Sequence, residues 1–232
     1  MKKALLFAGI ILALTASVAM AAGVSVSWKN YCWGETGSSN NLTWACTTNS
    51  NVNIRMTCSF KTDVDVPLFN GVGVFMEGQT ELASVPDWWK MSNENSSDCR
   101  YNLCTVSADG TVLANAGGDV CFDPWGGTGG GGLGLYSWDT NRMHVNAAWA
   151  SAVEIPLSAN TEYFAVQFRV AGGKTAGTAG CTGCLTEAIW GLSLEPQNIA
   201  KLSGIGCSSK TTAYFVGGAH GFNSVHGRMP SI

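Results

Sequence analysis

The residues whose type and spacing most directly suggest chemistry are Cys181 and Cys184, which form a Cys-Thr-Gly-Cys motif. A redox-active motif of this kind stands where a strand leads into a helix, because the helix N-terminus lowers the pKa of the attacking thiol. Here a strand pattern follows instead, without an amphipathic helix. A tetrahedral zinc site would take its remaining ligands from Cys207, His220 or His226. Since that spacing matches no zinc finger or ribbon, the sequence favours a disulfide at the tip of a hairpin loop.

All nine cysteines lie after residue 22, in the part of the chain that an oxidising compartment would receive. Local spacing predicts that Cys32 and Cys46 bridge the loop between the first two strands, and that Cys99 pairs with Cys104 or Cys121. Cys58 falls on the apolar side of the clearest strand pattern, so it is the expected free thiol. The cysteines predicted to form disulfides are Cys32, Cys46, Cys99, Cys104, Cys121, Cys181, Cys184 and Cys207.

Catalytic motifs are sparse, and we assign no catalytic residue. The chain has three histidines and neither a G-x-S-x-G elbow nor an H-E-x-x-H pair. His144 alternates with apolar residues and is expected on the solvent side of a strand, whereas His220 and His226 fall in a glycine-rich segment. Glycoside hydrolysis needs two carboxyl groups that face each other across a cleft. The candidates for such a pair are Glu77, Glu81, Asp119 and Asp123.

Tryptophan gives the main indication of binding. Trp88, Trp89, Trp125 and Trp138 fall in or beside predicted loops, where an exposed ring can stack on a sugar. The alternative is that these rings cover an open end of the core. Three further tryptophans lie on strand patterns and are expected in the core: Trp28, Trp149 and Trp190.

Oxygen ligands that could hold calcium on loops occur in two short patterns, Asp63-Val64-Asp65 and Asp139-Thr140-Asn141. Each places two side-chain oxygens two residues apart, which is a common arrangement and weak support for a Ca²⁺ site. We therefore expect no cofactor and no metal centre.

Composition excludes several classes of protein. The chain has 232 residues, of which 12% are charged and 46% hydrophobic, with a net charge of −3. That much apolar surface argues against disorder. The 13 Lys and Arg residues form no basic stripe, which argues against a nucleic-acid partner.

The N-terminus reads as a signal peptide over residues 1–22. Lys2 and Lys3 precede an apolar run over 4–14, and Ala19-Met20-Ala21 fits the pattern that signal peptidase accepts. The apolar run is shorter than a membrane span, so no span is expected after cleavage. The expected product is a single domain over 23–232 that is secreted, either extracellular or periplasmic.

Alternation of apolar and polar residues predicts an all-β chain. One helical turn is expected at 86–91, a hairpin turn at Asp109-Gly110, and a flexible loop at the glycine run 126–134. Many short strands without helices between them predict a two-sheet antiparallel β-sandwich of jelly-roll or immunoglobulin-like type. The predicted strands cover 24–28, 52–61, 71–76, 103–107, 111–114, 143–149, 162–170, 190–194 and 211–216.

Four short motifs resemble a group of small uncharacterised secreted bacterial proteins. They are Val24-Ser25-Val26-Ser27-Trp28, Val85-Pro86-Asp87-Trp88-Trp89, Thr161-Glu162-Tyr163-Phe164 and Gly180-Cys181-Thr182-Gly183-Cys184. The resemblance implies a secreted sandwich with a disulfide in a hairpin loop, and it implies no activity. The strand layout is also similar, at the level of fold alone, to cohesin-like and carbohydrate-binding modules.

Together these features predict a secreted or surface-associated, non-enzymatic binding or structural module. Its expected partner is an extracellular glycan, held by the loop tryptophans, or another surface protein. Two alternatives remain at this point. One is a glycoside hydrolase on the same scaffold, and the other is a subunit of an extracellular fibre or coat, because low charge and long strands leave sheet edges that can pair between chains.

Overall fold

The computed structural model describes residues 23–28, 32, 42–49, 54–62, 64–108, 121–195 and 213–217. Several predictions fall outside these residues: the signal segment, the Asp109-Gly110 turn, strand 111–114, and the residues Asp63, Asp119, Cys207, His220 and His226. The strands are β1 (Gly23–Trp28), β2 (Ile54–Lys61), β3 (Val66–Thr80), β4 (Cys104–Ser107), β5 (Gly129–Asp139), β6 (Arg142–Leu157), β7 (Glu162–Val170), β8 (Ala188–Glu195) and β9 (Ala213–Gly217). A single 3₁₀ turn covers Asp87–Trp89.

The strands form two antiparallel sheets. The four-stranded sheet has the order β1-β2-β7-β4, and the five-stranded sheet has the order β5-β6-β3-β8-β9. Every pairing between these strands is antiparallel. The predicted two-sheet β-sandwich is therefore confirmed.

The core follows from the alternation of side chains. In β3, Val72, Val74 and Met76 are buried, and the residues between them turn to the outer face of the five-stranded sheet. β7 is different because both of its faces are buried: Phe164 and Phe168 pack in the core, while Gln167 on the other side donates a hydrogen bond to Thr57 of β2 at 2.9 Å. This central strand starts and ends where its pattern predicts.

The glycine run is part of a strand, so its prediction as a flexible loop is wrong. Gly129 to Gly132 belong to β5 and pair with β6, from Gly129 opposite Ser151 onward. A side chain at Gly131 would collide with the backbone of Ala148. Glycine therefore allows the two strands to approach each other closely here. The sequence does not predict this strand because glycine lacks the side chains whose alternation identifies a strand.

The disulfides join Cys32 to Cys121, Cys46 to Cys184 and Cys99 to Cys181. The predicted local bridges Cys32–Cys46 and Cys181–Cys184, and the pairing of Cys99 with Cys104 or Cys121, are therefore wrong. The bridges instead span 89, 138 and 82 residues. Loops distant in sequence meet at the ends of a sandwich, and spacing along the chain carries no information about that meeting.

Cys58 and Cys104 are buried free thiols in the four-stranded sheet. The prediction for Cys58 is confirmed, and that for Cys104 as a disulfide partner is wrong because its side chain packs within the sandwich on β4. Burial raises the pKa of Cys104 to about 12 and that of Cys58 further still. Both groups stay protonated at neutral pH, so they act as small apolar side chains rather than as nucleophiles.

The side chain of Asn93 covers part of the exposed edge of the five-stranded sheet. β5 is an edge strand, and Asn93 accepts a hydrogen bond from the Tyr136 N–H at 3.1 Å and donates one to the Gly134 carbonyl at 3.4 Å. Its amide thus occupies backbone groups that a strand of another molecule would otherwise use.

Replacing Asn93 with alanine is expected to increase self-association of the protein at high concentration, because it uncovers these two backbone groups. The change should cost less than about 1 kcal/mol of folding stability, as two partly exposed hydrogen bonds are lost. Sedimentation velocity over a concentration series measures the dimer fraction, with Asn70→Ala on β3 as the matched control. Equal dimer fractions for wild type and Asn93→Ala would show that the side chain does not protect this edge.

Candidate functional site

The predicted glycan-stacking tryptophans lie in the core. The exposed fractions of Trp88, Trp89 and Trp125 are 1%, 7% and 1%, and Trp138 is a partly buried residue of β5 that packs against the core. The rings therefore form no exposed platform for a sugar; they pack on the core, which is the alternative that the sequence left open. Glycine and proline around these residues predict a loop, but a loop at the end of a sandwich can fold inward over the core.

Trp88 and Trp89 instead position a second loop. Their rings meet edge to face at 4.8 Å. The indole N–H of Trp88 donates to the Thr175 hydroxyl at 3.2 Å, and that of Trp89 donates to the Thr186 carbonyl at 3.1 Å. The backbone N–H of Trp88 also donates to the Thr182 carbonyl at 2.9 Å. The Pro-Asp-Trp-Trp turn is thus an anchor for the loop that connects β7 to β8.

A buried arginine supports this turn from behind. The guanidinium of Arg100 lies 3.9 Å from the centre of the Trp88 ring, donates to the Trp88 carbonyl at 3.0 Å, and donates to the carbonyl of Ala171. Within the described part of the chain its partners are carbonyl oxygens and an aromatic ring rather than carboxylates. Burial lowers the pKa of Arg100 to about 10, which leaves the group charged at neutral pH.

An open pocket of about 420 Å³ is lined mainly by the anchored loop between β7 and β8. Its lining combines two disulfide bridges with side chains from three loops, and comprises Cys46, Glu81, Thr175, Cys181, Gly183, Cys184, Leu185 and Thr186. Gly183 has a φ of +88°, and a side chain at this position would collide with Pro86. We call this cavity the disulfide pocket.

The disulfide pairing excludes both chemical roles considered for the Cys181–Cys184 motif, the redox-active dithiol and the zinc site. Each cysteine is bonded to a distant partner, so the motif offers neither a redox-active dithiol nor free thiolate ligands for zinc. The two cysteines tie one loop to two other segments of the chain.

The candidate carboxylates have separate partners. Glu77 forms an ion pair with Arg142 at 2.9 Å, Asp123 accepts a hydrogen bond from the Trp125 N–H at 2.9 Å, and Glu81 lines the disulfide pocket. A hydrolase would need two such groups opposed across one cleft, and these three serve different parts of the fold.

Residues of the two weak calcium patterns are likewise used within the protein. Asp65 accepts a hydrogen bond from the Ala159 N–H at 2.8 Å, and Asp139 contacts His144 at 3.3 Å. Among the described residues, no group of three or more His, Cys, Asp or Glu side chains is placed to hold a metal ion.

The outer face of the five-stranded sheet carries a cluster of aromatic and charged side chains. His144 is half-buried on the solvent side of β6, as predicted, and its ring stacks with that of Phe75 at 6.2 Å and an interplanar angle of 29°. Arg142 and Glu77 form an ion pair beside the rings, and the His144 ring contacts the Asp139 carboxylate at 3.3 Å. We define the outer face by these five residues.

The sequence contained a signal for this face. Phe75 occupies the same side of β3 as Glu77 and Gln79, since all three alternate with buried residues. An aromatic residue on the polar side of a strand pattern indicates a ring outside the core, and Phe75 lies there as a partly buried ring.

Comparison with protein-family models, with curated proteins and with solved structures found no match to this chain. In the part of the chain that the structure describes, no helix has the length and apolar character needed to cross a membrane.

Proposed function

We propose that the protein is an exported, non-enzymatic binding module that holds an extracellular glycan on the outer face of its five-stranded sheet. The observation that carries this proposal is the stacked ring pair of Phe75 and His144, set among hydrogen-bonding side chains on that face. An aromatic ring can pack on the apolar side of a sugar while neighbouring polar groups bind its hydroxyls. Phe75 thus takes the role predicted for the loop tryptophans.

The charges of this face support an uncharged ligand. Arg142 forms an ion pair with Glu77, and Asp139 contacts the His144 ring at 3.3 Å, so the charged groups of this face already have partners within the protein. A strongly anionic or cationic polymer would have to break these pairs. A hydroxyl-rich ligand can bind while they remain intact, because paired side chains keep lone pairs and N–H groups available.

The backbone beneath the face leaves room for an extended ligand. Beyond the ring pair, Ala148 of β6, which is exposed, lies opposite Gly132 of β5. These small residues make a low stretch of sheet beside the Phe75 ring. Export is supported by the three disulfides, which are characteristic of oxidising compartments.

Glycan-array screening of the oxidised protein, followed by calorimetry on a bound oligosaccharide, tests the proposal. Phe75→Ala should weaken binding about tenfold, since it removes the stacking surface without touching the core. The matched control is Phe122→Ala, which removes a ring that is 62% exposed elsewhere on the sandwich.

The control should bind as the wild type does. Absence of binding to every glycan on the array would overturn the proposal, and so would equal affinities of wild type and Phe75→Ala.

A further inference from the structure

We propose that the disulfide pocket is a second, separate binding site, and that it takes an organic ammonium group on a short aliphatic stem, such as a lysine side chain of a partner peptide. Among the residues that line it, Glu81 is the one with a charged side chain. The other lining groups are hydroxyls, backbone atoms, disulfide sulfur and the side chain of Leu185. This combination pairs one anionic acceptor with an apolar wall.

The pocket is held in shape by covalent and hydrogen bonds that converge on its lining. The Cys46–Cys184 and Cys99–Cys181 bridges fix one loop to two other segments. The side chain of Asn49 accepts from the Thr175 N–H at 2.7 Å and donates to the Ala176 carbonyl at 2.9 Å. A cavity fixed in this way loses little conformational freedom when a ligand enters, and its volume falls in the range of small-molecule sites.

The hydrogen bonds of the Thr175 hydroxyl leave its oxygen able to accept one more hydrogen bond, from a ligand. The Thr175 hydroxyl receives the Trp88 N–H and donates to the Gly172 carbonyl at 2.7 Å, so its hydrogen atom is already committed. It can therefore offer an incoming group only a lone pair. An ammonium group, with three donors and no acceptor, matches Glu81 and this hydroxyl oxygen, whereas an anion would face the Glu81 carboxylate.

The apolar part of the site selects a ligand with a hydrocarbon stem. Leu185 and the disulfide-bonded Cys184 line the pocket, and Leu185 is 64% exposed. A bare ammonium ion would leave these surfaces in water. An alkyl stem that follows the ammonium group into the pocket would cover them and gain from the burial.

Titration of the oxidised, ¹⁵N-labelled protein with n-butylammonium chloride, followed by NMR, tests the inference, with 1-butanol as the neutral probe of the same shape at equal ionic strength. Butylammonium should shift the amides of residues 182–186 saturably and more than butanol does. Glu81→Gln should weaken its binding about fivefold, while Glu94→Gln, at an exposed position outside the pocket, should have no effect.

Equal responses to the two probes, or an unchanged affinity in Glu81→Gln, would overturn the inference. The outcome is independent of the proposed glycan site, because Phe75→Ala leaves the pocket lining intact and should bind butylammonium as the wild type does.

Discussion

Replacing both Cys99 and Cys181 with serine is expected to lower the free energy of unfolding by about 4 kcal/mol. The bridge closes a loop of 82 residues, and removing it restores conformational freedom to the unfolded chain. The Cys46–Cys184 bridge remains in this variant and keeps the two ends within a shorter covalent path, so the loss should stay somewhat below that for an isolated loop of this length. Urea unfolding under non-reducing conditions measures the effect.

Cys58→Ala provides the control for the disulfide variant. It removes a buried sulfur atom but no cross-link, so its cost should be that of a small cavity, about 1 kcal/mol. A loss in the double variant no larger than that in Cys58→Ala would show that the bridge does not restrict the unfolded chain.

Replacing Arg100 with alanine is expected to destabilise the protein by about 3 kcal/mol. The substitution leaves the carbonyls of Trp88 and Ala171 buried without their donor, and each such loss costs about 1–3 kcal/mol. It also removes the cation from the Trp88 ring and opens a cavity. Part of this cost is offset, because the guanidinium itself is buried at the expense of its hydration, and its Nε has no partner among the described residues.

Arg100→Met separates packing from hydrogen bonding at this position. Methionine restores much of the volume without a charge, so its loss of stability should be about half that of alanine. Thermal and urea unfolding of both variants supply the comparison. If methionine and alanine cost the same, the packing part of this account is incorrect; if neither costs more than about 0.5 kcal/mol, which is typical of surface positions, the anchoring role of Arg100 is incorrect.

The sequence predicts those parts of the fold in which alternation of side chains coincides with burial. β7 is found at Glu162–Val170 as expected, because Phe164, Val166, Phe168 and Val170 place a large apolar side chain at every second position. β5 is missed because glycine has no side chain to alternate, and its pairing depends on contact with β6, which is a tertiary feature. β3 and β6 run to 15 and 16 residues, longer than predicted, because register shifts interrupt the alternation on which strand limits were based.

The sequence likewise predicts some features of the candidate sites and not others. The sequence correctly places His144 on the solvent side, since its neighbours Met143 and Val145 are apolar and buried. It does not reveal that Trp88 and Trp89 turn inward, because the partners that satisfy their N–H groups, Thr175 and Thr186, lie far along the chain. The disulfide pocket is unpredictable for the same reason: its lining comes from segments that only the bridges and the sandwich bring together.

The disulfide connectivity also sets the order in which the native bridges can form as the chain emerges from its N-terminus. Cys32 cannot form its native bridge until Cys121 has emerged. Four other cysteines emerge between these two partners: Cys46, Cys58, Cys99 and Cys104. The remaining two native bridges wait for Cys181 and Cys184. An oxidant that joined consecutive cysteines as they appeared would make Cys32–Cys46, a pair that the native protein does not contain. The full native set of bridges can therefore form only after Cys184 has emerged, and any earlier bridge other than Cys32–Cys121 or Cys99–Cys181 must be exchanged before folding ends.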